Sequence, residues 1–173
     1  MKKIALAAIA ALAAMVAAPA MAQDVRDDYA FTGPRVGATV GWDTAQDRDG
    51  VAYGGVAGYD FAYRGAVVGG EVSLEDSDLN IGRLKASRDL AASARVGFIV
   101  APRTMLYGKV GYATTRVEGP YGIHTNLEGV RFGGGAEFAL TQKTYISAEY
   151  RRTEYENDFG GRDQVMAGIG FRF

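Results

Sequence analysis

At 173 residues, with 48% hydrophobic and 23% charged side chains, the chain has room for one domain and the overall balance of a globule. It departs from that class in having 24 glycines, ten tyrosines and no cysteine. The missing cysteine excludes a disulfide scaffold, a Cys zinc site and thiol catalysis; the formal charge of −1 excludes a strongly basic nucleic-acid binder; one histidine removes most His-based sites.

Met1, Lys2 and Lys3 precede Ile4–Ala18, which carry no charged or polar side chain, and Pro19 leads into Ala20-Met21-Ala22. A positive start, an apolar run and a small-x-small exit describe a cleavable signal peptide over residues 1–22. The apolar run is shorter than the ~20 residues that span a bilayer as a helix. Cleavage leaves 17 basic against 20 acidic residues and sends the chain out of the cytosol. Residues 23–33 read as a short periplasmic N-terminal segment, and residues 34–173 as one domain.

That domain alternates with period two. Eight stretches do so: Arg35–Asp43, Tyr53–Phe61, Val68–Glu75, Asp89–Val100, Leu106–Tyr112, Val130–Leu140, Ile146–Arg151 and Val165–Phe173. In the first, Val36, Ala38, Val40 and Trp42 oppose Gly37, Thr39, Gly41 and Asp43, and the others follow suit. Their lengths approach the ~9–11 residues of a tilted membrane strand. The connections also alternate. Ala62–Gly65, Ala101–Thr104 and Thr141–Thr144 are short, whereas 44–50, 76–88, 114–126 and 153–162 are longer and polar. This pattern predicts an all-β fold: an eight-stranded antiparallel transmembrane β-barrel, an up-and-down meander, with both ends of the mature chain on the short-turn side.

The polar face carries Glu71, Arg95, Lys109, Arg131, Glu137, Glu149, Arg151 and Arg172 among its glycines. The apolar face carries the aliphatic side chains and most of the bulky aromatics. An eight-strand interior is only wide enough to be filled by side chains. Glycine there leaves room for long charged chains to cross, and aromatics suit lipid. With strand directions taken from loop lengths, Tyr59, Phe61, Phe98, Phe138, Phe171 and Phe173 fall at the short-turn end, and Trp42, Tyr53 and Tyr112 at the other. These are two aromatic girdles. A soluble lipocalin-like barrel is the competing arrangement, and it would leave the charged set as a plain solvated face. Buried charges must pair. Glu71, Arg95, Lys109, Arg131, Glu137, Glu149 and Arg151 are therefore predicted as a lumen network, with Arg172 as a further cation and Asp43, Asp60 and Glu75 in reserve.

The chain closes on Met166-Ala167-Gly168-Ile169-Gly170-Phe171-Arg172-Phe173. Gly168, Phe171 and Phe173 match the C-terminal signal of bacterial outer-membrane barrels, while Met166 stands where a large polar residue is usual. The domain as a whole resembles the small eight-stranded barrels of the OmpA/OmpX and opacity-protein type, also called porin-family or surface-antigen proteins. The resemblance implies a Gram-negative outer membrane, with lipid and lipopolysaccharide around the barrel and the barrel assembly machinery reading its C-terminus. It implies no chemistry.

The remaining motifs are weak. His124, in the third long loop, has no serine after it and only Glu128 as a nearby carboxylate, so it reads as a loop histidine. Gly133-Gly134-Gly135 lacks the Lys-Ser/Thr of a phosphate loop. Arg116, Arg152 and Arg162 lie near the outer rim, either clamping lipopolysaccharide phosphates or simply solvated. No catalytic residue, cofactor or metal is predicted. The expected role is structural and interactive, through an extracellular ligand of loops 44–50, 76–88, 114–126 and 153–162. A narrow solute pore is the alternative, and a lipid-modifying enzyme a more distant one.

Overall fold

The computed structural model describes residues 28–45, 48–77, 80–81, 84–118, 124–155 and 160–173. The stretch expected to be a signal peptide, residues 1–22, and the start of the segment after it lie outside the described residues. A short 3-10 helix, Asp28–Phe31, leads into nine strands: β1 Gly33–Ala45, β2 Arg48–Tyr63, β3 Ala66–Ser77, β4 Asn80–Ile81, β5 Leu84–Ala101, β6 Thr104–Glu118, β7 His124–Ala139, β8 Thr144–Tyr155 and β9 Gly161–Arg172. Eight are long, and β4 adds two residues to the hairpin between β3 and β5.

Every pairing is antiparallel, in the order β3-β2-β1-β9-β8-β7-β6-β5, and a β3–β5 pairing closes the ring. Neighbours are consecutive along the chain except at the seam, where β1 pairs with β9 from Arg35↔Arg172 to Ala45↔Arg162. The fold is a closed eight-stranded antiparallel meander. Closure gives each of the eight long strands a partner on both sides, as a lipid-exposed sheet requires.

Burial follows the two-residue period. In β3 the pattern runs buried at Val67, Glu71, Ser73, Glu75 and Ser77 and exposed at Val68, Val72 and Leu74. The outward wall is apolar on most strands, with Trp42 at 66%, Phe61 at 59% and Phe98 at 61% exposure. Ala136 and Ala148, on the outward set, are buried all the same. Among the described residues no helix is long and apolar enough to cross a membrane; these strands carry the apolar surface instead.

The strands outrun the sequence pattern. β2 begins at Arg48, and β6 and β7 pair as far as Glu118↔His124. The stretches 44–50, 76–88, 114–126 and 153–162 are therefore largely hairpin. Beyond the lipid neither face has to be apolar, so the period fades while backbone pairing continues. His124 accordingly lies on β7 and not in a loop, and its side chain is outside the described residues.

The other departure is at the short-turn end. The chain turns at Gly33 (φ 113°), where a Cβ would lie 2.3 Å from the Phe173 carbonyl oxygen, so only glycine fits. This swings the 3-10 helix into the barrel mouth. Phe31 is fully buried against Val67, Met105, Tyr107 and Ala139. Ala62 N–H donates to Thr32 Oγ1 at 3.0 Å, and Arg172 donates to the Ala30 carbonyl at 2.7 Å. The 23–33 segment thus ends as an apolar cork.

Candidate functional site

The inward positions of the strands place charge in the barrel axis. Seven cations, Arg35, Arg95, Lys109, Arg131, Arg151, Arg162 and Arg172, face seven carboxylates, Asp43, Asp60, Glu71, Glu75, Asp89, Glu137 and Glu149. Glu149 is the most open of them, with 10% of its side chain exposed. Inward glycines make the space. A Cβ on Gly69 would lie 2.0 Å from Asp60 Oδ1, and one on Gly133 would meet Arg151 Cβ at 2.8 Å.

The ion pairs fall into two islands. The larger begins at the cork, where Arg172 meets Asp60 at 2.9 Å and Glu137 at 2.8 Å. Arg95 bridges the same two carboxylates at 3.4 and 3.0 Å, with its guanidinium 4.3 Å from the Tyr107 ring centre. Arg35 links Asp60, at 3.0 Å, to Glu71. Lys109 joins Glu71 at 2.5 Å to Glu149 at 2.7 Å, and Arg151 joins Glu149 at 3.7 Å to Glu75 at 2.7 Å. Tyr107 donates to Glu149 at 2.8 Å. That island holds five cations and five anions.

The smaller island lies toward the long hairpins. Arg131 meets Asp89 at 2.7 Å, and Arg162 meets Asp89 at 3.0 Å and Asp43 at 2.8 Å. It holds two of each sign. Ser77 donates to Asp43 at 2.7 Å, Thr115 to Asp89 at 2.9 Å, and Arg131 to Thr153 at 2.9 Å. These residues come from β1, β3, β5, β6, β7, β8 and β9, so they tie together the bases of all four long hairpins. Each island is neutral by itself, which avoids the several kcal/mol cost of an uncompensated buried charge. Between the walls remains a cavity of about 20 Å³, bordered by Thr39, Tyr145, Ser147, Glu149 and Met166. That is room for about one or two waters.

All seven predicted lumen residues point inward. Six join the larger island, and Arg131 belongs to the smaller. Arg35, Asp89 and Arg162 were missed as members. Arg162 corrects the rim expectation: it is 2% exposed and turned into the barrel, so it is not a surface clamp. It shares the parity of Gln164 and Met166, so extending the β9 alternation back by two steps on that face, past Gln164, would have found it. Arg152 does sit on the outer wall, 3.3 Å from Glu154 and 3.5 Å from Asp163. Arg116 is exposed there too, in register with exposed Arg88. At the C-terminus, Phe171 and Phe173 face outward at 56% and 75% exposure, while Gly168 lies on the inward side. Among the described residues no group of three His, Asp or Glu side chains is arranged to hold a metal ion.

The family described as outer membrane protein beta-barrel domain matches residues 8–173. The 25 kDa outer-membrane immunogenic protein of Brucella ovis is 30% identical over 144 residues, which cover 80% of this chain and 63% of that relative. The chain therefore spans less than two thirds of that relative's length. Three solved structures share the fold. Neisserial surface protein A has a TM-score of 0.60 at 14% identity, covering 81% of this chain and 96% of that one. The N-terminal barrel of Pseudomonas aeruginosa OprF has 0.60 at 16%, covering 82% and 99%. Ail, the attachment invasion locus protein of Yersinia pestis, has 0.56 at 16%, covering 82% and 97%.

Proposed function

The chain belongs to the outer membrane β-barrel family, and from that premise we propose a structural and interactive role, not an enzymatic one. The barrel sits in the outer membrane, contributes to envelope integrity and holds its four long hairpins outside the cell. The short-turn end and both termini then face the periplasm. The observation that carries this reading is the pair of neutral islands. They fill the lumen, which argues against a solute pore, and the outer one braces the hairpin bases, which suits a surface built to be contacted. The immunogenic Brucella relative agrees with such exposure.

Gly168, Phe171 and Phe173 serve as the signal read by the barrel assembly machinery. Arg116, exposed beside Arg88, is our candidate for meeting lipopolysaccharide phosphates; Arg162 is withdrawn from that role.

Two measurements test the proposal. Purified barrel in a planar bilayer should give no large, steady openings. Cells lacking the gene should take up a hydrophobic dye faster than cells with it restored. Steady openings from the purified chain would turn the assignment to a pore, and unchanged dye uptake would remove the envelope role.

A further inference from the structure

The short-turn end carries a charge pattern that the lumen does not explain. Its three turns, over 64–65, 102–103 and 140–143, each hold one basic residue: Arg64, Arg103 and Lys143. None of the three holds an acid, whereas 44–50 and 153–162 at the other end carry both signs. Among the described residues, no carboxylate forms an ion pair with any of the three.

Depth identifies what these cations meet. The outward side chains at the start of the turns are Tyr63 at 62%, Val100 at 52% and Leu140, the first residue of its turn, at 41% exposure. Each cation follows within one to three residues, or about 3–10 Å at ~3.3 Å per residue. The headgroup layer beyond the hydrocarbon is about 5–8 Å thick on each side. The cations therefore sit at headgroup level, too close to the lipid-facing wall for a polymer farther out to be their first contact.

Arg64 supplies two independent signs. Its guanidinium lies 5.4 Å from the Tyr63 ring centre, which holds it at the aromatic girdle. Its φ is 51°, in a two-residue turn with Gly65 at 84°, where Asn or Gly is the unstrained choice. The chain keeps a strained arginine at this corner.

We propose that the short-turn rim is a docking ring for anionic phospholipid headgroups, the phosphatidylglycerol and cardiolipin class, with the lipid phosphate as the ligand. Placing those lipids in the periplasmic leaflet rests on the orientation given above; the binding chemistry does not.

Local lipid contact is the readout. In a Trp42→Phe/Tyr63→Trp chain the single indole stands at this rim. The chain is folded into vesicles containing brominated phosphatidylglycerol or brominated phosphatidylcholine, and the quenching of that indole is compared. The anionic lipid should be favoured several-fold, each cation contributing up to about fivefold near the surface, with the preference shrinking as salt is added. Arg64→Gln/Arg103→Gln/Lys143→Gln should bring the ratio close to one, and Gln142→Ala should leave it unchanged. A heat-modifiable gel shift checks that each variant is folded. If the triple variant does not fold, the single changes should each lower the ratio. Equal quenching by the two lipids in the parent chain, or a preference that survives the substitutions, overturns the proposal. Labelling a turn cysteine in intact cells tests orientation separately, because an inverted barrel would keep the vesicle result and change only the leaflet.

Discussion

Glu137 is the most direct probe of the lumen. It is 1% exposed, and its two oxygens accept from Arg95 at 3.0 Å and from Arg172 at 2.8 Å. Glutamine keeps the volume but removes the charge, and it turns an NH2 donor toward a guanidinium. The ten-member island is left with an uncompensated positive charge. Breaking a buried pair from one side costs roughly 3–5 kcal/mol. Asp60 still meets both arginines, at 3.4 and 2.9 Å, so the loss should fall at the lower end, about 3 kcal/mol. Glu154 sets the comparison: its side chain is 60% exposed and pairs with Arg152 at 3.3 Å. An exposed pair of that kind contributes about 0–1 kcal/mol. The assay is urea unfolding of the barrel in lipid vesicles, followed by Trp42, the one tryptophan, which is 66% exposed on the outward wall. Glu137→Gln should lower the unfolding free energy by about 3 kcal/mol and Glu154→Gln by less than ~1. Equal losses would refute the reasoning and imply that water reaches Glu137 freely.

Adjacent glycines should respond in opposite directions. Inward Gly69→Ala drives a Cβ to 2.0 Å from Asp60 Oδ1, a loss of ~1–3 kcal/mol in the same assay. Outward Gly70, with no atom nearer than 3.9 Å, should gain about 0.5 kcal/mol as alanine. Phe31→Ala empties the core of the cork and should cost up to ~3–5 kcal/mol; an unchanged unfolding midpoint would mean the cork is only resting in the mouth. Phe171→Ala/Phe173→Ala should reduce surface levels in cells while leaving the refolded barrel within ~1 kcal/mol of the parent, because both rings face lipid, which can refill their place. Normal surface levels would count against the assembly signal.

The fold was legible because a lipid boundary writes itself into sequence. Strands such as Arg35–Asp43 and Val165–Phe173 need an apolar residue at alternate positions, and a slip of one residue would put every charge in the membrane. The same rule located Glu71, Arg95, Lys109 and Glu137. It failed wherever the lipid ends. Arg48 is followed by Asp49 and Gly50, and Glu118 pairs with Lys85 and His124, so neither lies in an apolar alternation that would mark its strand, and Arg162 was lost because its segment was counted from Val165. Phe31 left no periodic trace, being one apolar residue ahead of a glycine turn. Nor could alternation say which carboxylate meets which arginine. That depends on strand stagger around the barrel, which places Asp60 of β2 among arginines of β1, β5 and β9.

The division into two neutral islands makes a stronger claim than overall neutrality, and a double-mutant cycle separates the two. Within the larger island, Glu137→Gln and Arg95→Gln remove one charge of each sign from residues 3.0 Å apart. The second change should recover about 1–3 kcal/mol of what the first would add independently, because neutrality returns where it was lost. Between islands, Glu137→Gln with Arg162→Gln also restores the total charge. Yet Glu137 and Arg131, Arg162's neighbour in the outer island, are six residues apart on β7, about 20 Å along the strand. At that separation the losses should add to within ~0.5 kcal/mol. Rescue by Arg162→Gln as large as that by Arg95→Gln would mean that the lumen behaves as one continuous charge reservoir. The bracing of the hairpin bases would then depend on every ionisable group down to the cork, not on Asp43, Asp89, Arg131 and Arg162 alone.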